Sequence, residues 1–189
     1  MKNVAGVRSR LAYRDATARD VEAIAGLHAD SWRRNYRGAY SDTFLDGAVL
    51  ADRLAVWTDR LGGQSQPNQS TTVAEQNGLV IGFAHTILDH DPTWGALLDN
   101  LHVTHHLKGH GIGTRLMAET ARAVIERTPS SGLYLWVLEQ NNAAQAFYQA
   151  LGGIYVGRKE SEPPGGGAVV ALRYSWPDLS VLLRHKSLP

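Results

Sequence analysis

Lys108-Gly109-His110-Gly111-Ile112-Gly113 is the stretch on which the reading of this chain turns. Ahead of it, Ala96 to Val103 reads as a strand. Behind it, Ile112, Leu116, Thr120 and Val124 recur at helical spacing and predict a helix from Ile112 to about Arg127. Glycines at alternate positions let the backbone turn tightly and bring its N–H groups close to a ligand. The first helical turn adds unpaired donors and the positive end of the helix dipole, so the loop suits a phosphate or pyrophosphate. Lys108 adds a cation. A dinucleotide fold would need Gly-x-Gly-x-x-Gly after its first strand, and this loop has other spacing and lies mid-chain. A P-loop would need Gly-Lys followed by Ser or Thr, which is absent. A glycine-rich turn that binds nothing is the remaining alternative.

Working outward, Leu11 to Arg14 is a short first strand. Thr17, three residues before Asp20, starts a helix that carries Val21, Ile24, Ala25 and Leu27 and runs to about Arg33. A second helical stretch spans Ser41 to Leu61, with Asp46-Gly47 as a point of interruption. Gly62 to Ser70 reads as a flexible loop. Thr71 to Glu75 and Leu79 to Leu88 flank Gln76-Asn77-Gly78, a strong hairpin signal because Asn and Gly both tolerate positive φ. Asp89 to Gly95 is a further turn. Past the glycine-loop helix, Leu133 to Leu138 is an apolar strand, and Asn142 to Leu151 a short helix with a stripe of Ala143, Phe147, Ala150 and Leu151. Ile154 to Lys159 and Ala168 to Tyr174 are closing strands around a Pro163 to Gly167 turn, and the tail from Trp176 is unassigned. The order is β-α-α-β-β-β-α-β-α-β-β, a single mixed α/β domain over residues 1–189 with its core at about 10–176.

Leu101-His102-Val103, a four-residue spacer and Lys108-x-x-Gly111-x-Gly113 resemble the acetyl-CoA signature of the GNAT superfamily of N-acetyltransferases. That signature is usually written Arg/Gln-x-x-Gly-x-Gly/Ala, so Lys108 is a departure. Asn142 and, six residues on, Tyr148, followed by Leu151-Gly152, resemble the family's second segment. The family ends it Gly-Phe, whereas Gly152-Gly153 stands here and an aromatic packing contact is missing. From the residues alone, Asn142 is a helix N-cap and Tyr148 an amphipathic side chain at a core edge, beside a buried Phe147. The resemblance implies more: a mostly antiparallel sheet flanked by helices, whose fourth and fifth strands splay into a slot for acetyl-CoA as acetyl donor. It implies that the donor is held by Leu101, His102 and Val103, by Lys108, Gly109, His110, Gly111, Ile112, Gly113 and Thr114, and by Asn142, Phe147 and Tyr148. It also implies that Tyr148 protonates the departing thiolate while an amine attacks the thioester directly.

Strand alternation puts Leu97, Asp99 and Leu101 on one face and Leu98, Asn100 and His102 on the other. Relatives carry an acid or His at positions matching Leu97 or Asp99, so Asp99 is the candidate base or ammonium counter-ion. A bulge would bring His102 there instead. His28, Trp32 and Tyr36 share a helix face and are candidate walls of the acceptor site, with core packing as the alternative. Glu75, His85 and Glu139 are further candidates at the slot border. His102, His105, His106 and His110 do not share one face, and no metal is expected.

Among 189 residues, 43% are hydrophobic, and 19 Lys and Arg balance 18 Asp and Glu for a net charge of +1. Near-neutrality argues against a nucleic-acid partner. No apolar run reaches the roughly 20 residues of a membrane span. Met1 to Arg10 is polar and unlike a secretory signal, and there is no cysteine for disulfides or thiol chemistry. The expectation is a cytoplasmic N-acetyltransferase acting on a primary amine of a small molecule or peptide, in homodimers if it follows its relatives. The alternative is a non-catalytic acyl-CoA-binding or sensor protein on the same fold.

Overall fold

The computed structural model describes residues 11–63, 66–129, 131–163 and 167–184. The reading of Met1 to Arg10, the middle of the Pro163 to Gly167 turn and the last five residues of the tail lie outside them.

Seven strands form one sheet: β1 (Leu11–Asp15), β2 (Gln69–Gln76), β3 (Leu79–Asp91), β4 (Gly95–Val103), β5 (Leu133–Leu138), β6 (Ile154–Ser161) and β7 (Val169–Trp176). Their order is β1-β2-β3-β4-β5-β7-β6. Every neighbouring pair is antiparallel except β4–β5, which is parallel and holds for only two residue pairs, Ala96 with Leu133 and Leu97 with Tyr134. Beyond Leu97 the two strands separate. The β2–β3 hairpin turns at Asn77 and Gly78 with φ of 53° and 79°, the left-handed pair expected of Asn-Gly.

Helices α1 (Val21–Asn35) and α2 (Val49–Leu61) cover one face of the first four strands. There Ile24, Ala25 and Trp57 pack on Val73 and Phe83. Asp20 anchors the start of α1: its carboxylate accepts from the Thr17 backbone N–H at 2.8 Å and from both Arg14 Nη atoms. Arg14 and this hydrogen bonding hold the Asp20 carboxyl down at about 2. Asp46-Gly47 does not break the second helical stretch. Phe44–Ala48 forms a wide π-type turn that runs directly into α2.

The opposite face is covered by α3 (Ile112–Arg127), α4 (Asn142–Ala150) and α5 (Ser180–Arg184). Leu116, Met117 and Val124 of α3 pack on Ala84, Leu98 and Leu135. Val73 and Ala74 thus point to opposite cores, as strand alternation requires. The unassigned tail is partly structured: Trp176, Leu179 and Leu182 are buried against α3 and α4. The stripe expected on α4 is rotated. Ala143 and Ala150 are exposed and Phe147 half-buried, while Tyr148 and Leu151 are buried with Ala144 against the same core. The cause is Trp176 and Tyr174 of β7, which meet Tyr148 edge-on at 6.0 Å and tilted at 6.4 Å and so select its side of the helix.

Gly153 replaces the missing aromatic contact in an unexpected way. A Cβ there would lie 2.6 Å from Trp176 Cζ2 and 2.8 Å from the Tyr148 carbonyl oxygen. The indole of Trp176 fills the space beside this backbone and donates from Nε1 to the Leu151 carbonyl at 3.0 Å. The contact comes from β7 instead of from the residue after Gly152.

Candidate functional site

Separation of β4 from β5 opens a cleft of about 1010 Å³. Its floor on the β4 side has an edge without ladder partners from Leu98 onward, so backbone N–H and C=O groups there face the opening. The glycine loop closes one end. Gly111 caps α3 in the left-handed region at φ 77°, with Gly109 at 83°. No partner within the described residues takes the backbone N–H of Gly109, Gly111, Ile112, Gly113 or Thr114. Gly113 is needed for room: a Cβ would stand 3.3 Å from Phe147 and 3.9 Å from Val103, narrowing the cleft where α3 and α4 face each other. A helix N-terminus with several free donors and no side chain in front of it fits a pyrophosphate group.

Leu101, His102, Val103, Lys108, Gly109, Gly111, Gly113, Thr114, Phe147 and Tyr148 line the cleft. Three residues named with them do not. Ile112 is buried in the core. His110 turns back to the Lys108 carbonyl, with its Nδ1 at 3.1 Å. Asn142 is exposed on the first turn of α4. The N-cap is Asn141, whose side chain accepts from Ala144 N at 3.2 Å, and it is Asn141 that borders the cleft. Spacing separates the two adjacent asparagines: Ala144 stands three residues after Asn141, whereas Gln145 stands three after Asn142. Lys108 reaches across to Asn35 of α1, Nζ to Oδ1 3.4 Å.

Asp99 is the extra residue of a bulge in β4, where His85 pairs with Asn100 and Thr86 with Leu98. The bulge resets the alternation. Asn100 and His102 join Leu97 on the face toward α1, and Leu101 moves to the α3 face with Leu98, so the expected grouping fails after Asp99. Both Asp99 and His102 consequently line the cleft. Arg60 Nη2 donates to Asp99 at 2.8 Å. His102 Nδ1 is 2.8 Å from Ser31 Oγ, and burial, helped by Lys108 and Arg53, drives its pKa down to about 3. His102 is therefore neutral at physiological pH.

Trp32 and Tyr36 form a cleft wall together with Tyr40. His28 does not. It is fully buried behind them and accepts from Trp57 Nε1 at 3.1 Å. Glu75 bonds Arg14, His85 is buried beside Thr71, and Glu139 lies near Arg158, so none of the three borders the cleft. Sequence reading passed over Arg53, Val56 and Arg60, which stand at i, i+3 and i+7 on α2 and present one face to the opening. That spacing was a legible signal. Trp136 was also overlooked, because the β5 run looked uniformly buried whereas alternation turns this ring into the cleft.

Tyr148 is 9% exposed, and burial pushes its phenol well above the ordinary value, so it carries its proton at neutral pH. Tyr36 is raised in the same way, by burial first and then by Tyr40, Tyr148 and Asp99.

Residues 26–153 match the model of the acetyltransferase (GNAT) family. The chain belongs to the GNAT family of acetyltransferases. It is 28% identical over 172 residues to the uncharacterized N-acetyltransferase YuaI of Bacillus subtilis, covering 89% of this chain and 94% of that one. Its fold matches that of an N-acetyltransferase from Staphylococcus aureus Mu50 at a TM-score of 0.65, with 19% identity over 90% of this chain and 99% of that one. It also matches the PaiA N-acetyltransferase of Thermoplasma acidophilum, solved in complex with coenzyme A, at a TM-score of 0.61, with 18% identity and coverage of 88% and 99%. No helix among the described residues is long and apolar enough to cross a membrane.

Proposed function

We propose that this GNAT acetyltransferase moves the acetyl group of acetyl-CoA to a primary amine of a small molecule or peptide by direct attack, with Tyr148 as the acid for the departing thiolate. The observation that carries this reading is the position of Tyr148: a protonated, buried phenol in the cleft wall, on the helix that faces the glycine loop across Gly113. The free N–H groups from Gly109 to Thr114 would hold the pyrophosphate, and the unpaired β4 edge near Leu101 to Val103 would pair with the pantetheine arm. Backbone N–H groups on that edge would also polarise the thioester carbonyl. Acetyl-CoA supplies the activated acyl carbon.

Asp99 is assigned the amine side. Its bulge turns the carboxylate into the cleft, where it can hold the ammonium and take its proton directly or through one water. His102 is the weaker base of the two, since it resists protonation down to about pH 3. Trp32 and Tyr36 would wall the acceptor.

Replacing Tyr148 by Phe tests the reading. The expected result is a fall in kcat of about 100- to 10,000-fold, the usual worth of a positioned acid, with acetyl-CoA affinity changed only a few-fold. Unchanged turnover on a working substrate would remove Tyr148 from the chemistry. Tight acetyl-CoA binding without transfer to any amine in a broad panel would favour the non-catalytic binder.

A further inference from the structure

The charge lining the acceptor half of the cleft is one-sided. Arg53, Arg60 and Lys159 face it as cations, against Asp99 as the acid. The whole chain carries a net charge of only +1, so the excess is local. The three cations are not equivalent. Arg60 is held by Asp99, and Arg53 by Asp52 through Nε at 2.8 Å, with its guanidinium 4.1 Å from the Trp32 ring centre. Lys159 has no carboxylate within ion-pair distance among the described residues. Its ammonium instead lies 4.2 Å from the Trp136 ring centre. Arg173, on the neighbouring strand β7, stacks 4.4 Å from the same ring, forms no ion pair either, and has a buried Nε without a hydrogen-bond partner. Two cations thus share one indole with no anion between them. Lys159 is exposed at the opening and Arg173 is half-buried beside it, so the pair can receive an anion that enters the cleft.

Topology places this pair opposite the amine site. Leu97 pairs with Tyr134 at the last contact of β4 and β5, so Asp99 and Trp136 each lie two residues further along, on the two sides of the splay. Trp136 pairs with Arg173, and Lys159 pairs with Ala171 two residues along β7. Asp99 and Lys159 therefore look into one opening from opposite banks.

We infer that the acceptor is an amine that also carries an oxyanion, with the amine at Asp99 and the oxyanion at Lys159 beside Trp136. This deepens the acetyltransferase reading and rests on it. Partial desolvation and then the charge of Arg173 lower the Lys159 pKa. The open splay from β4 to β5, followed by two paired strand steps of about 4.8 Å from β5 to β6, puts the two charges several bonds apart instead of on adjacent atoms.

The test uses purified full-length protein, acetyl-CoA and a ladder of ω-amino acids from glycine to 6-aminohexanoate, each beside the n-alkylamine of equal length, with CoA release as readout. O-phosphoethanolamine beside ethanolamine separates phosphate from carboxylate. The expected result is kcat/KM about 10- to 100-fold higher for an anionic member than for its neutral partner, the range of one charge-assisted hydrogen bond. The advantage should grow with length. Lys159→Gln should bring the ratio of anionic to neutral kcat/KM to about one, through the KM of the anionic member, and Lys159→Arg should restore the ratio. Neutral amines that match or outrun their anionic partners in both series overturn the inference, as does an advantage that survives Lys159→Gln. If no anionic amine is acetylated, the inference also fails; acetyl-CoA titration and transfer to neutral amines then decide the acetyltransferase reading separately.

Discussion

Gly153→Ala should destabilise the protein through a single collision whose partner is known. The new methyl would sit 2.6 Å from Trp176 Cζ2 and 2.8 Å from the Tyr148 carbonyl oxygen, both inside any tolerated contact distance. Neither neighbour yields easily. Trp176 is 1% exposed and tethered through Nε1 to the Leu151 carbonyl, and the Tyr148 carbonyl accepts from Gly153 N at 2.9 Å to close α4. Overpacking of this kind costs about 1–3 kcal/mol, and at about 2–4 °C per kcal/mol for a chain of this size Tm should fall by roughly 2–12 °C. Trp176→Ala alone should cost about 3–5 kcal/mol as a cavity. Because the ring is the main obstacle, the two changes must couple. In the double variant, and more so in Gly153→Phe with Trp176→Ala, the second substitution should recover at least about 1 kcal/mol relative to the sum. A double-mutant cycle by chemical denaturation measures this. Strict additivity would refute the claim that Trp176 fills the place of the missing aromatic.

Gly111→Ala forces a side chain into the left-handed region at φ 77°, a strain of about 1–2 kcal/mol. If the free N–H groups hold the donor, acetyl-CoA Kd should rise about 5- to 30-fold by calorimetry, and an unchanged Kd would sever the loop from binding. Acid should unfold the protein through its buried histidines. Burial drives His28 well below and His85 to about 4 from the usual 6.5. The unfolded chain therefore binds more protons between those values, so stability is complete above about pH 6.5 and is lost as pH falls toward 4. At pH 5 the loss is on the order of 2 kcal/mol per histidine. His85→Gln should flatten the Tm profile between pH 7 and 5, and a profile that keeps its slope would remove His85 from the linkage.

The element order was legible because each strand and helix carried its own period, and the Asn77-Gly78 turn carried its own backbone signal. The glycine loop was legible for the same local reason. What escaped was decided across the sheet. The bulge at Asp99 depends on how β4 pairs with β3, and no spacing within β4 reveals it, although it moves every later side chain to the other face. His28 shares a helix face with Trp32, yet Trp32 and His102, which line the cleft, pack against its ring, and Trp57 of α2 bonds it on the core side. Lys159 and Trp136 lie on separate strands with β7 between them, so their contact exists only after the sheet assembles.

That division has a physical basis. The glycine-loop end of the cleft is made of backbone: a left-handed glycine, a helix start and an unpaired strand edge. Such groups impose a pattern on the residues that must expose them, and the pattern survives in sequence. The other end, where the acceptor is proposed to sit, is made of side chains from α1, α2, β4, β5 and β6 that converge by packing. Any of them can change without disturbing the splay, since Ala96 to Leu97 and Leu133 to Tyr134 already fix where the strands part. The same scaffold can therefore keep its glycine-loop end while the side chains at the other end are rewritten. That freedom allows Lys159 and Arg173 to stand without an ion pair while the glycine loop and the strand edge stay as they are.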